Sequence, residues 1–282
     1  MGYGAMRLAG PDIVGPPRDR DAAVRVLRRA VELGVNLIDT ADAYGPNHNE
    51  ELIAEALGPY PSDLVVATKG GLVRTGSQWD PDGRPEHLRM ACEASLQRLR
   101  VERIDLYQFH RPDPTVPFAE SVGALAELRD EGKIRFVGLS NVTLGQLREA
   151  QGITPIVSVQ NRYNLHDRSS EDVLRACEAH DIAFLPYFPL KGFGYTKGTP
   201  ALTDIAAARG STAAAVALAW LLARSPAMVP IPGTSSIAHL EENVGGAFLD
   251  LGPAELERLD GLSEGASAGP LRRFFERLKF WD

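Results

Sequence analysis

Short apolar runs rich in valine and isoleucine alternate along this chain with longer stretches of helical period, and that alternation limits the fold more than any other feature. The runs are Gly2–Leu8, Val35–Thr40, Asp63–Lys69, Ile104–His110, Ile134–Ser140, Ile156–Gln160, Ile182–Tyr187 and Ala227–Ile231. Between them lie Ala22–Leu33, Glu50–Leu57, Glu86–Leu99, Pro117–Glu131, Leu144–Ala150, Ser170–His180 and Thr203–Arg224, each with apolar residues recurring at helical spacing. The last is expected to break at Gly210, with Ser211 or Thr212 capping the second piece. Alternating βα units imply parallel strands, and eight of them in 282 residues can close into a (β/α)8 TIM barrel. An open doubly wound sheet is the competing α/β arrangement. It would want a glycine-rich turn directly after the first strand, and Ala9-Gly10-Pro11-Asp12 fits that poorly. Neither G-x-G-x-x-G nor G-x-x-x-x-G-K-[ST] occurs; Gly192-Phe-Gly-Tyr-Thr-Lys197 comes nearest and lacks the third glycine. The expectation is one barrel domain over residues 1–282, with 265–282 as an amphipathic C-terminal tail.

Charge and cysteine usage narrow the function classes. Lysine and arginine number 30 against 37 aspartate and glutamate, a formal charge of −7, which argues against nucleic acid as the main partner. The longest apolar stretch, Ala213 to Ala223, is about half of the ~20 residues a membrane span requires, so no membrane partner is expected. The N-terminal residues show no charged region followed by an apolar run, and Cys92 and Cys177 form no Cys-x-x-Cys pair. Two reduced, buried thiols in a cytoplasmic protein are the expectation.

In an α/β barrel the chemistry sits where the strands end, because the βα loops converge over one mouth. The second strand is followed by Asp39-Thr-Ala-Asp-Ala-Tyr44; the third ends in Thr68-Lys69 and the fourth in Gln108-Phe-His110. Ser140-Asn141, Gln160-Asn161, Tyr187 and Pro232-Gly-Thr-Ser-Ser236 close the remaining strands. One mouth would gather Asp39, Tyr44, Lys69 and His110, a set suited to proton transfer to a carbonyl. A tyrosine of ordinary pKa near 10 is a reluctant acid, and a lysine cation beside it is expected to lower that value. Asp39 would hold Lys69 charged, and His110 would orient the carbonyl oxygen by a hydrogen bond. This chemistry needs no metal.

With those residues in order along nearly the whole chain, from Gly2 to about Leu262, the sequence resembles the aldo-keto reductases. The most specific pieces are Asp39–Tyr44, Ala67-Thr-Lys69, Leu106-Tyr-Gln-Phe-His110, Gly138-Leu-Ser-Asn141, Pro186-Tyr-Phe-Pro-Leu190, and Ile231-Pro-Gly-Thr-Ser-Ser236 with Leu240-Glu-Glu-Asn243. The resemblance implies a monomeric barrel enzyme that moves a hydride from NADPH to a small-molecule aldehyde or ketone. It makes Tyr44 the general acid, supported by Lys69 and Asp39, with His110 orienting the substrate. It also implies that Ser140, Asn141 and Gln160 hold the nicotinamide carboxamide, that the ring stacks on Tyr187, and that Pro189 and Leu190 contact the cofactor. Gly233, Thr234, Ser235 and Ser236 would take the phosphate of the adenosine half, with His239 beside it, and Glu242 and Asn243 would face adenine. Many such enzymes place lysine and arginine around the 2′-phosphate; the matching positions here read Gly233 and His239, so NADH is the alternative cofactor. Asn161–Ser170 is similar to the small bacterial branch that includes pyridoxal reductase-like enzymes.

Two other functions use the same residues: a Schiff-base lyase or aldolase with Lys69 as nucleophile, and a non-catalytic cofactor-binding regulatory subunit. Trp79 reads either as a wall of the substrate pocket or as a loop anchor. The Gly192–Gly198 loop, with Lys191 or Lys197, reads as a clamp across the pyrophosphate. The tail, apolar at 271, 274, 275, 278 and 281, would pack outside the barrel or bring Phe280 and Trp281 to the mouth.

Overall fold

Strand pairing runs parallel around one sheet in the computed structural model, which describes residues 1–190 and 199–263. Its strands are β1 (Tyr3–Gly4), β2 (Leu37–Asp39), β3 (Val65–Gly70), β6 (Ile104–Phe109), β7 (Ile134–Ser140), β8 (Ile156–Gln160) and β9 (Ala183–Phe184), each hydrogen-bonded to the next in that order. Helices alternate with them: α1 (Arg20–Glu32), α2 (His48–Leu57), α3 (Pro85–Leu99), α4 (Phe118–Asp130), α5 (Leu144–Gln151) and α6 (Glu171–Ala179). After these come α7 (Pro200–Ala208), α8 (Ala213–Arg224), α9 (Ile237–Gly245) and α10 (Pro253–Asp260).

The eighth expected strand, Ala227–Ile231, takes no regular strand form, yet it closes the barrel. Phe184 N–H donates to the Ala227 carbonyl at 2.8 Å and its carbonyl accepts from Val229 N–H at 2.8 Å. On the other side Gly2 and Gly4 N–H groups donate to the carbonyls of Pro230 and Pro232, at 2.9 and 3.2 Å. Prolines at 226, 230 and 232 have no N–H to give, so this segment accepts from β1 without returning the bonds. The first and seventh strands are also shorter than expected. A single 3-10 turn, Ala5–Leu8, replaces the end of the first, and Pro186 interrupts the ladder beyond Phe184.

The helices form where caps and apolar spacing coincide. Asp19 accepts from Ala22 N–H at 2.8 Å to start α1, which buries Ala23, Val26, Leu27 and Ala30 on one face. The break expected at Gly210 is present: Gly210 takes φ +59°, and the Thr212 hydroxyl accepts from Ala215 N–H at 3.2 Å to start α8. Thr212→Ala is expected to lower stability by about 1 kcal/mol, measured as a fall in the urea midpoint. Helix α8 is apolar on nearly all sides and is buried along Ala215–Leu221. There Trp220 stacks on Tyr163 at 6.2 Å and donates its indole N–H to Asp260 at 3.0 Å. No single helix among the described residues is long and apolar enough to cross a membrane.

One element went unforeseen. The segment after Lys69 forms an antiparallel hairpin of β4 (Leu72–Thr75) and β5 (Gln78–Pro81), turned at Gly76 with φ +62°. It carries Trp79 over the mouth.

Candidate active site

The parallel register sets the ends of the strands level, so their last side chains meet above the core. Register pairs Asp39 with Ala67, Lys69 with Gln108, and Ser140 with Gln160. Asp39 and Lys69 are buried at 2% and 0% exposure, and Lys69 Nζ donates to Asp39 Oδ2 at 2.7 Å and to the Thr40 carbonyl at 2.8 Å. Asp39 Oδ1 accepts from Gln108 Nε2 at 3.0 Å and Gln160 Nε2 at 2.8 Å, so the carboxylate has three donors besides its backbone setting. Gln108 was read only as a strand-end residue; its side chain has room because position 138 on the neighbouring strand is glycine. A Cβ there would stand 2.8 Å from Gln108 Cγ and 2.3 Å from Ser158 Oγ. A second buried carboxylate braces the site from behind. Glu50 of α2 accepts from Thr68 Oγ1 and from Arg98 Nε of α3, both at 2.6 Å.

Tyr44 follows β2 and is 6% exposed, with Lys69 Nζ 5.2 Å from its ring centroid. Three rings meet edge to face around it: Tyr44 to His110 at 5.9 Å, Tyr44 to Trp79 at 6.2 Å, and Trp79 to His110 at 6.3 Å. Trp79 turns out to be both wall and anchor, since it lines the cavity while Arg74 stacks over its ring at 3.7 Å.

Burial lowers the Lys69 ammonium, but Asp39 and Tyr44 together outweigh it and the group stays above its ordinary range. Burial likewise raises the Tyr44 phenol, and the opposing pull of Lys69 does not cancel that effect. The expectation that the cation leaves this phenol more acidic than usual is therefore corrected: dehydration of the phenolate dominates. His110 is held well below its usual range by burial first and then by the charges of Lys69 and Arg111. It is neutral at neutral pH, and its Nδ1 has no partner among the described residues.

A cavity of about 370 Å³ opens beside these groups. Asp39, Tyr44 and His110 form one end of its wall, while Lys69 stands behind it. Ser140, Asn141, Gln160, Tyr187, Pro189 and Leu190 also line it, as do Gly233, His239, Glu242 and Asn243 of the closing segment and α9. A hydrogen-bond chain fixes part of this wall: Ser140 Oγ donates to the Gln160 carbonyl at 2.8 Å, Asn141 Nδ2 to the His110 carbonyl at 3.0 Å, and Tyr187 Oη to Asn141 Oδ1 at 2.8 Å. Asn141 holds a left-handed φ of +59°, which asparagine tolerates better than most residues.

Three of the expected phosphate-binding residues do not reach this wall. Thr234 is buried, with its hydroxyl accepting from Ser236 N–H at 3.1 Å and its carbonyl accepting from Tyr3 Oη at 2.5 Å. The Ser236 hydroxyl accepts from His239 N–H at 3.4 Å as the cap of α9, and Ser235 lines a separate cavity of about 320 Å³. The wall also includes Gly4, Met6, Arg7, Phe188 and Thr212–Ala214, which sequence reasoning missed. Met6 and Arg7 would have been found by the same strand-end rule had the first strand been drawn shorter. The residues of α8 carry no polar signal that could have pointed to them. The expected clamp with Lys191 and Lys197, and the tail with Phe280 and Trp281, lie outside the described residues.

The lining can be tested against a dinucleotide. The cavity wall offers amide and hydroxyl groups beside an aromatic face, and it includes the point where Gly4 and Gly233 bring their backbones close. A Cβ on Gly233 would come 2.5 Å from the Gly4 carbonyl oxygen. These features fit a planar carboxamide-bearing ring at one end and a nucleotide at the other.

Known proteins of one family match this chain along nearly its whole length. The family model described as "Aldo/keto reductase family" matches residues 1–264. An uncharacterised oxidoreductase of Schizosaccharomyces pombe is 45% identical over 280 residues, covering 99% of this chain and 90% of that protein. Pyridoxine 4-dehydrogenase of Escherichia coli is 44% identical over 270 residues, covering 93% and 94%. The crystal structure of an aldo/keto reductase from Klebsiella pneumoniae in complex with NADP and acetate superposes with a TM-score of 0.78 at 28% identity, covering 95% of this chain and 92% of the other. A barrel built of these strands, carrying these residues at its mouth and matched along this length, places the chain in the aldo/keto reductase family of oxidoreductases.

Proposed function

We propose that this protein reduces the carbonyl of a small aldehyde or ketone using NADPH, as a cytoplasmic, monomeric single-domain enzyme. The observation that carries the proposal is the fully buried Asp39–Lys69 pair behind Tyr44, with His110 at 5.9 Å from the same ring. When bound, NADPH supplies the hydride. Tyr44 holds the proton destined for the carbonyl oxygen, and Lys69 stabilises the phenolate left when that proton departs. Asp39 keeps Lys69 charged and fixed, while Gln108 and Gln160 keep Asp39 in place. Neutral His110 offers a ring N–H to the same oxygen and so sets the angle at which the substrate lies. Ser140, Asn141 and Gln160 would hold the carboxamide, and Tyr187, Pro189 and Leu190 the ring. Gly233, His239, Glu242 and Asn243 would surround the adenosine half, with Ser235 reaching it from the adjoining cavity and Thr234 and Ser236 joining after they leave their present hydrogen bonds.

NADPH is favoured over NADH because the Klebsiella relative carries NADP, and pyridoxal belongs in the first substrate panel because a relative is named pyridoxine 4-dehydrogenase. Titrating intrinsic fluorescence with each dinucleotide, and following NADPH oxidation over aldehydes, ketones, sugars and pyridoxal, tests the proposal. Binding of NADPH with turnover of at least one carbonyl class is expected. A protein that binds neither dinucleotide would refute it.

The acid-base setting also gives a pH dependence. Tyr44 must be protonated to act, and burial keeps its proton bound beyond the ordinary phenol range. His110 takes on its second proton only well below the usual histidine range. Carbonyl reduction at saturating cofactor is therefore expected to stay flat between about pH 6 and pH 9, declining only on the alkaline side. A break near pH 7 in the profile of log kcat would contradict this assignment of the two groups.

A further inference from the structure

We propose that Arg7 is the residue that recognises the 2′-phosphate of the dinucleotide and so sets the preference for NADPH, an inference that rests on the dinucleotide reading above. Arg7 is the only lysine or arginine among the described residues that line the main cavity. It is exposed and has no ion-pair partner among the described residues, so its guanidinium is available to a ligand.

The fold explains why a cation comes from position 7. Strand β1 and the closing segment approach so closely at Gly4 and Gly233 that a Cβ on Gly233 would meet the Gly4 carbonyl oxygen at 2.5 Å. That leaves no room for a side chain at 233. The same Cβ would lie 3.6 Å from Arg7 Cγ, so the aliphatic stem of Arg7 passes over the bare glycine. The 3-10 turn Ala5–Leu8 that ends β1 brings it there.

A second observation separates the 2′-phosphate from the pyrophosphate as the group bound. The linear part of a dinucleotide, pyrophosphate included, would lie in the main cavity, whose wall includes Tyr187 and Asn243. A 2′-phosphate branches off that line and needs a compartment of its own. The separate cavity of about 320 Å³ shares Arg7 with the main one and is also lined by Arg18 and Ser235. Its carboxylate, Asp19, is already engaged in capping α1. A phosphate monoester there would meet a planar guanidinium fork, a second guanidinium and a hydroxyl, the donor set that suits it best.

The test compares wild type with Arg7→Ala by calorimetry, using NADPH, NADH, adenosine 2′,5′-bisphosphate and 5′-AMP. The last two differ only in the 2′-phosphate, and neither requires turnover. Wild type is expected to bind NADPH and the bisphosphate more tightly than NADH and 5′-AMP. Arg7→Ala is expected to weaken NADPH and the bisphosphate by about tenfold or more, as for the loss of a charge-assisted contact, with NADH and 5′-AMP changed by less than about twofold. Equal weakening of NADPH and NADH would move Arg7 to the pyrophosphate and overturn the proposal, as would unchanged binding of all four. Wild type that binds NADPH and NADH alike would also overturn it. Wild type that binds no dinucleotide would instead refute the underlying reading.

Discussion

Tyr44→Phe is expected to reduce kcat for carbonyl reduction by about a thousandfold, within the range of 10² to 10⁴ typical of losing a positioned acid, while the Kd for NADPH changes by less than about twofold. The substitution removes one oxygen and keeps the ring, so the edge contacts with His110 and Trp79 survive. Lys69 loses its contact with the phenol oxygen but keeps its bonds to Asp39 and the Thr40 carbonyl. The loss should therefore fall on the proton-transfer step alone. Single-turnover mixing of the preformed NADPH complex with aldehyde separates that step from cofactor release. A variant retaining most of its single-turnover rate would remove Tyr44 from the acid role.

Lys69→Met is expected to cost both stability and turnover. Lys69 and Asp39 form a buried, hydrogen-bonded ion pair, and removing one partner leaves the other as an uncompensated charge at a cost of about 3–5 kcal/mol. Asp39 would retain the two glutamine donors, Gln108 and Gln160, which places the expected loss at the lower end of that range. Equilibrium urea unfolding measures it. Turnover should drop as well, because the phenolate of Tyr44 would form beside Asp39 with no cation to offset it. Lys69→Arg keeps the charge but brings a planar fork into a space shaped for an ammonium, so it should restore neither property fully. A Schiff-base role for this lysine sits poorly with the same facts: Lys69 is fully buried, paired, raised in pKa and off the cavity wall.

The barrel and the meeting of Asp39, Tyr44, Lys69 and His110 at one mouth were legible in the sequence because two simple regularities coincide. Apolar runs alternate with helical stretches, and polar residues follow the runs. Once the strands are parallel and the sheet closes, those polar residues can only meet at one mouth, so Asp39, Lys69 and His110 were located by counting strand ends and Tyr44 by the short run that follows Asp39. Other features depend on facts that a linear pattern does not carry. Ala227–Ile231 is apolar like a strand, but its prolines strip donors from it, so it closes the barrel without regular pairing. Ser235 follows the last strand as expected yet faces a different compartment, because Thr234 is pulled inward by Tyr3 and Ser236 is engaged at the start of α9. The hairpin that delivers Trp79 is a local excursion between β3 and α3 and interrupts the alternation. Arg7 lay inside a strand drawn too long. The direction in which the Tyr44 phenol shifts was misjudged since a neighbouring lysine is visible in sequence, whereas the degree of burial that outweighs it is not.

In the proposed reaction hydride passes from the dinucleotide to a carbonyl carbon at this mouth. Reduction of an aldehyde substrate with NADPH deuterated on the transferred face at C4, followed by mass spectrometry of the alcohol, tests it most directly. One deuterium on the former carbonyl carbon and none elsewhere is the expected result. Consumption of the aldehyde with no deuterium in the product, or borohydride fixing substrate to Lys69, would contradict it.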